Sequence, residues 1–506
     1  MSHPTNFAQR NATCLAAAVL LIAGAFTSAS RAGDWTTVGG NSQRNGLSDE
    51  SGPVDTVWEW EGTSSALFAG QIYIEGNTLV TWRFQSINVA PIVAHDLETG
   101  DLLWSRDFKG ANSRSVVRGF RDGQIYATNF QETGADTLYA LDPATGNTIW
   151  KSTAFCERGI TWSIAFADDG DLFIPGVANK IVRVERTNGT VVWERPRIIP
   201  NTGAEGLCVF GNTIYGFEGS IVTPKTLTAW DLATGVKKYS SATLPGDGDQ
   251  EMPHSIGPDG TIYVLRDGGL LHALEDTGAA IVQKWSRAIA GTPVWGQFGV
   301  EADGSPLVPD GQRLLRLDAA SGVTLDQSPP LVSSSWFVPR VTIDVGGKIY
   351  VGNGASGDGA LYALAPDLSI LWQVAAPNIT YSGPALASGG KLAVAGGGTF
   401  LSVYGTTAVA VDEAAGAGAG SRTEIVAWPN PFGDVVTLEV GEGAGMQLGV
   451  FDINGRMVRR LERPSAGRSV TWNSLDSRGQ PVAPGVYLVR AQDRSTAPLK
   501  LLRLAD

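Results

Sequence analysis

One pattern constrains this chain more than any other: LYALDPATGNTIW, residues 138–150, returns along most of its length. IVAHDLETGDLLW precedes it, and IVRVERTNGTVVW, LTAWDLATGVKKY, a looser LLHALEDTGAAIVQKW, LLRLDAASGVTLD and LYALAPDLSILW follow. With the terminal residue of each unit in register (Trp58, Trp104, Trp150, Trp193, Tyr239, Trp285, Asp326, Trp372), the steps are 46, 46, 43, 46, 46, 41 and 46 residues. A second mark recurs once per unit, a turn followed by an apolar pair: EGNTLV, RDGQIYA, DDGDLFI, FGNTIYG, PDGTIYV, ADGSPLV, GGKIYV and SGGKLAV. Two independent marks therefore agree on eight units. A fixed period of this length signals stacked supersecondary units, none of which buries its apolar face alone.

Within each unit apolar and polar residues alternate in bursts of four to six, bounded by Gly, Asp and Asn, which reads as about four antiparallel strands. In Asp142-x-x-Thr145-Gly146 the carboxylate can accept turn amides while glycine supplies a positive φ. Trp58, Trp104, Trp150, Trp193, Trp285 and Trp372, each at the end of an apolar strand, are expected to dock between neighbouring units. Ring closure would leave only short, protected sheet edges. The last unit stops at FLSVYG without its fourth strand, and VWEWE at 57–61 is spare, so the early strand is expected to complete the final unit. The fold class predicted is all-β, an eight-bladed β-propeller at 34–407 followed by a small Ig-like β-sandwich.

The motifs DLETGDLLW, DPATGNTIW and the opening DWTTVGGNSQRNG resemble the PQQ-like, or quinoprotein-like, propellers. That resemblance implies either a quinone-dependent alcohol dehydrogenase or a cofactor-free member such as the propeller lipoprotein of outer-membrane assembly. In the enzymes, it implies a disulfide between adjacent cysteines over the quinone, a tryptophan floor and a calcium held by carboxylate and amide oxygens. The sequence has no Cys-Cys pair, so PQQ is not expected.

Beyond DEAAGAGAGS, a small-residue tether at 408–422, the segments PNPF, VFDINGRMVR and GVYLVR resemble the C-terminal sorting domain of type IX secretion substrates. The stretch WNSLDSRG is equally similar to the Ig-like domain of the flagellar hook-cap protein. These cover 423–506. At the other end, Arg10, the apolar run Ala12–Phe26 and small residues through Ala32 form the three-part pattern of a cleaved signal peptide, 1–32; the run is too short for a bilayer crossing. Cleavage there removes two arginines and no acid, taking the formal net charge from −12 to −14, which argues against nucleic acid and anionic membrane as partners. Cys156 and Cys208 remain, to pair in an oxidising compartment or to stay as buried thiols.

Candidate site residues precede the recurring turns, on the strands expected to line the central channel: Arg118, Trp162, Glu205, His254, Trp295 and Arg340. They converge on one mouth or scatter along the channel. Asp247, Asp249 and Glu251 alternate in a way that could offer oxygens to calcium, without the full ligand spacing of a twelve-residue loop. No catalytic arrangement is assembled by spacing. The reading is an exported, monomeric, non-catalytic propeller that binds a protein or glycan at its loops and meets the secretion machinery through its C-terminal domain. Alternatives are a secreted quinone- or calcium-dependent oxidoreductase or lyase, and a periplasmic outer-membrane assembly scaffold.

Overall fold

The computed structural model describes residues 34–405 and 425–504 apart from short internal segments, among them 109–112, 157–163, 199–205, 246–253, 291–296 and 332–339. Its regular structure is almost entirely β. Among the described residues, strands fall into eight antiparallel groups of four, spanning 68–106, 113–156, 165–196, 208–240, 255–288, 299–327, 340–375 and 385–405, hereafter the first to eighth blades. The second and third share one extra pairing, Cys156 with Gly176, and the inner strand of the first is split into Phe68–Ala69 and Tyr73–Glu75.

The eighth group is completed from the far end of the chain. Strand Val57–Glu61 pairs antiparallel with Leu401–Gly405, Val57 opposite Gly405 and Trp60 opposite Val403, with a bulge between Trp58 and Trp60. The spare strand thus takes the place foreseen for it.

The apolar core lies between the blades. One cluster joins the first and second blades through Val80 and Ile125, another the second and third through Leu138 and Phe166. The series continues around the molecule to a cluster that unites Tyr350 of the seventh, Leu392 of the eighth and Ile74 of the first. Every sheet face is therefore covered by the next sheet, which is what a closed ring requires.

The seams show why the sequence repeats. Asp142 Oδ1 accepts the amides of Ala144 and Thr145 at 3.1 and 2.8 Å, and Gly146 takes φ +70°. The absent side chain of that glycine leaves a seat for the indole of the preceding blade: a Cβ on Gly146 would lie 2.6 Å from Trp104. Trp60 sits likewise on Gly100, Trp150 on Gly189, Trp193 on Gly235 and Trp285 on Gly322. Four of these indoles also donate to the carbonyl following the turn acid: Trp60 to Leu97, Trp104 to Pro143, Trp150 to Arg186 and Trp285 to Ala319, at 2.7–2.9 Å. Trp372 packs against Tyr350 and Tyr404. In the first repeat the ring seated on a glycine is Trp60; Trp58, expected in that role, has its side chain outside the described residues.

The C-terminal region forms two sheets, of three strands (Ile425–Trp428, Val436–Val440, Ser469–Trp472) and four (Met457–Glu462, Gln447–Asp452, Gly485–Ala491, Leu499–Arg503). Between them Trp472 is buried edge-on to Tyr487, with Phe432, Leu448 and Val489.

Candidate functional site

The channel of the ring is not open at the level of the inner strands. Residues 35–50 run across those strands and hydrogen-bond to seven blades in chain order. Trp35 and Ile74 exchange both main-chain bonds, Phe120 donates to Thr36 O at 3.0 Å, and Ser42 Oγ both accepts from Phe166 N and donates to its carbonyl. Val209 then donates to Ser42 O, Ile256 to Gln43 O, Val300 to Asn45 O and Ile343 to Gly46 O, at 2.7–3.0 Å. Asn45 is buried, its Nδ2 donating to Ile256 O while its Oδ1 accepts from Asn41 Nδ2 and Leu47 N. The opening DWTTVGGNSQRNG is therefore an axial strap. Its glycines permit the path: Gly46 has φ +76°, and a Cβ there would meet Val341 O at 2.5 Å.

This strap changes the meaning of the channel candidates. Arg118, His254 and Arg340 are sealed from solvent, at 0%, 1% and 7% exposure. Arg118 turns along its own blade, its Nε donating to Thr128 Oγ1 at 2.9 Å and its Nη2 lying 3.8 Å from Asp136 Oδ2. Burial lowers its pKa to about 10, partly offset by Asp136. It braces three strands of the second blade and is no mouth residue. His254 meets the ring of Phe217 edge-on at 5.4 Å, and burial, then the Arg44 charge, pushes its pKa down to about 3. Arg340 packs beside Gly383. Trp162, Glu205 and Trp295 lie outside the described residues, as do Asp247, Asp249 and Glu251. Among the described residues, no three His, Cys, Asp or Glu side chains cluster as a metal site.

Cys156 and Cys208 are buried thiols on separate blades, not joined in a disulfide. Cys208 Sγ donates to His254 O at 3.1 Å, and burial pushes this thiol up to about 12.

What the sequence reading missed lies at the seams that lack an indole. Between the sixth and seventh blades Asp326 replaces tryptophan, and Arg316 spans the gap. Its guanidinium pairs with Glu301, lies 3.6 Å from Asp326 and donates to Pro366 O, the position equivalent to Pro143. That seam is closed by charge. Between the fourth and fifth blades Tyr239 replaces tryptophan, and the seam stays open as a cavity of about 650 Å³.

Here the Tyr239 and Tyr215 hydroxyls both donate to Asp276, at 2.5 and 2.6 Å, and Gly278 N adds a third bond at 2.8 Å. Burial works against ionising Asp276, but the two phenols, the Gly278 amide and the Lys238 charge together outweigh it and hold its carboxyl below the usual range. Tyr239 itself is pushed up to about 12, by burial and then by that carboxylate. Lys238 Nζ donates to Asn212 O and Thr213 Oγ1, and Lys284 Nζ to Thr261 Oγ1 at 2.9 Å. The available signal was the interruption of the tryptophan series at Tyr239, beside the shortened turn Asp276-Thr277-Gly278.

Comparison with known proteins agrees with this geometry. Residues 88–252 match the family described as outer membrane protein assembly factor BamB, and residues 426–502 the secretion system C-terminal sorting domain. An uncharacterized protein of Rickettsia conorii is 29% identical over 112 residues, 20% of this chain; the match spans only 26% of that curated relative's length. The quinohemoprotein alcohol dehydrogenase of Comamonas testosteroni superposes with a TM-score of 0.54 at 14% identity, over 75% of this chain and 81% of the other. A europium-containing methanol dehydrogenase does so with a TM-score of 0.53 at 13% identity, over 72% and 91%. At such identities the likeness is one of fold. The chain thus carries a PQQ- and BamB-like repeat domain on a β-propeller fold, followed by a type IX secretion C-terminal sorting domain.

Proposed function

We propose that this protein is an exported, non-catalytic binding propeller, carried to the cell surface or medium through its C-terminal domain after a signal peptide at 1–32 is removed. The observation that carries the reading is the sorting-domain match at 426–502, joined to a propeller whose cysteines cannot form the vicinal disulfide of the quinone enzymes. The BamB-like match at 88–252 supports a role in binding other molecules at blade loops. No helix among the described residues is long and apolar enough to cross a membrane.

Export is tested in a host with a type IX system. The full chain is expected at the surface or in the medium, and a chain ending at residue 422 is expected to stay inside the cell envelope. Retention of both forms, or release of both, overturns the assignment of residues 423–506 as the sorting signal. Catalysis is tested by supplying quinone, calcium and alcohols and following dye reduction; no turnover is expected.

A further inference from the structure

At five seams an indole fills the space above the turn glycine so closely that a Cβ on Gly100, Gly146, Gly189, Gly235 or Gly322 would approach ring atoms to 2.4–2.7 Å. The fifth blade turns differently, Thr277 N donating to Ala280 O where the other five close with the glycine amide on the turn acid four residues back, and a Cβ on Gly278 would meet nothing within 4 Å. Two differences act together, this shorter turn and the exchange of tryptophan for tyrosine. Tyr239 is smaller than tryptophan, and its hydroxyl is held by Asp276, so the ring does not swing over the glycine. What remains is the cavity of about 650 Å³, within the ordinary range for small-ligand sites.

Its walls carry chemistry of both signs. Lys238 and Lys284 bring ammonium groups; Lys238 keeps a proton beyond those given to Asn212 and Thr213, and Lys284, bonded to Thr261, also lies 3.9 Å from Asp259. Asp259 and Glu275 bring carboxylates, and Glu275 takes no hydrogen bond from the described residues. Phe210 and Tyr239 add aromatic surface. A simple anion would face these carboxylates together with Asp276, and a simple cation would face two ammoniums, so neither is matched by the whole lining. A neutral ligand whose hydroxyls both donate and accept, and whose C–H faces cover aromatic rings, satisfies every wall.

We propose that the seam between the fourth and fifth blades is a saccharide-binding site that takes a short segment of neutral oligosaccharide. The proposal rests on the reading of the chain as a binding propeller and names one ligand class for it. The purified full chain would be titrated calorimetrically with cellohexaose, xylohexaose, mannohexaose and chitohexaose, and with phosphate and putrescine as charged controls. At least one hexasaccharide is expected to bind, and the two ions are not. Tyr239→Trp restores the indole and is expected to weaken that binding at least about tenfold without lowering the melting temperature; Lys284→Met, which leaves the seam unfilled, is expected to weaken it as well. No binding by any hexasaccharide, binding confined to phosphate or putrescine, or binding undiminished in both variants overturns the saccharide site. None of these outcomes touches export, which the truncation at residue 422 decides separately.

Discussion

At the scale of single residues, stability rests on a large ring seated on an absent side chain. Gly146→Ala places a methyl 2.6 Å from Trp104 at φ +70°, whereas Gly278→Ala places one in open space at φ +80°. Both bear the left-handed backbone cost of about 1 kcal/mol, and the clash adds roughly 1–3 kcal/mol at Gly146 alone. Urea denaturation of the two variants is expected to separate them by that margin, and equal losses would mean that the fourth seam is not empty. Trp150→Ala is expected to cost about 3–5 kcal/mol by the same measurement, because it leaves a cavity and orphans the Arg186 carbonyl. His254 gives a pH test. Its folded pKa of about 3 lies below the free value, so the unfolded chain binds more protons between about pH 3 and 6.5. Stability is then complete above pH 6.5 and falls on acidification, by at most about 1.4 kcal/mol per pH unit for this proton. His254→Phe is expected to flatten the decline between about pH 6.5 and 5, before most carboxylates titrate.

Elements were legible in the sequence wherever local chemistry repeats. The Asp142 turn, the indole after it and the unpaired strand VWEWE each have a local reason to be where they are, and the pairing of Val57 with Gly405 completes the last sheet. The choice between Trp58 and Trp60 was not legible, because a bulge between them shifts the register and period alone cannot show a bulge. Nor was the strap. Residues 35–50 touch seven blades in turn through a few hydrogen bonds each, so they carry none of the alternation that a continuous strand imposes. The surroundings of Arg118 were hidden for a related reason. Arg118 finds Asp136 on a strand two away within its own sheet, a partner with no recognisable sequence spacing. The strap can be tested at Asn45. Asn45→Ala leaves Ile256 O and Leu47 N without their side-chain partner in a buried site and is expected to lower stability by about 1–3 kcal/mol, read by chemical denaturation.

For the whole molecule, the repeating sheets make a wheel whose seams are each packed by an indole, with two exceptions. One exception is closed by Arg316 and the other is left open at Tyr239. The C-terminal sheets enclose their own core around Trp472. Both the axial strap and the strand that completes the eighth blade come from the first residues of the described chain, while their last partners lie at Val345 and Gly405. A nascent polypeptide therefore offers its fastener first and its buckle last. The long loop between them must be closed before these contacts can repay the entropy, so folding is slow to finish and the unsealed sheets need shielding from aggregation until Gly405 has emerged.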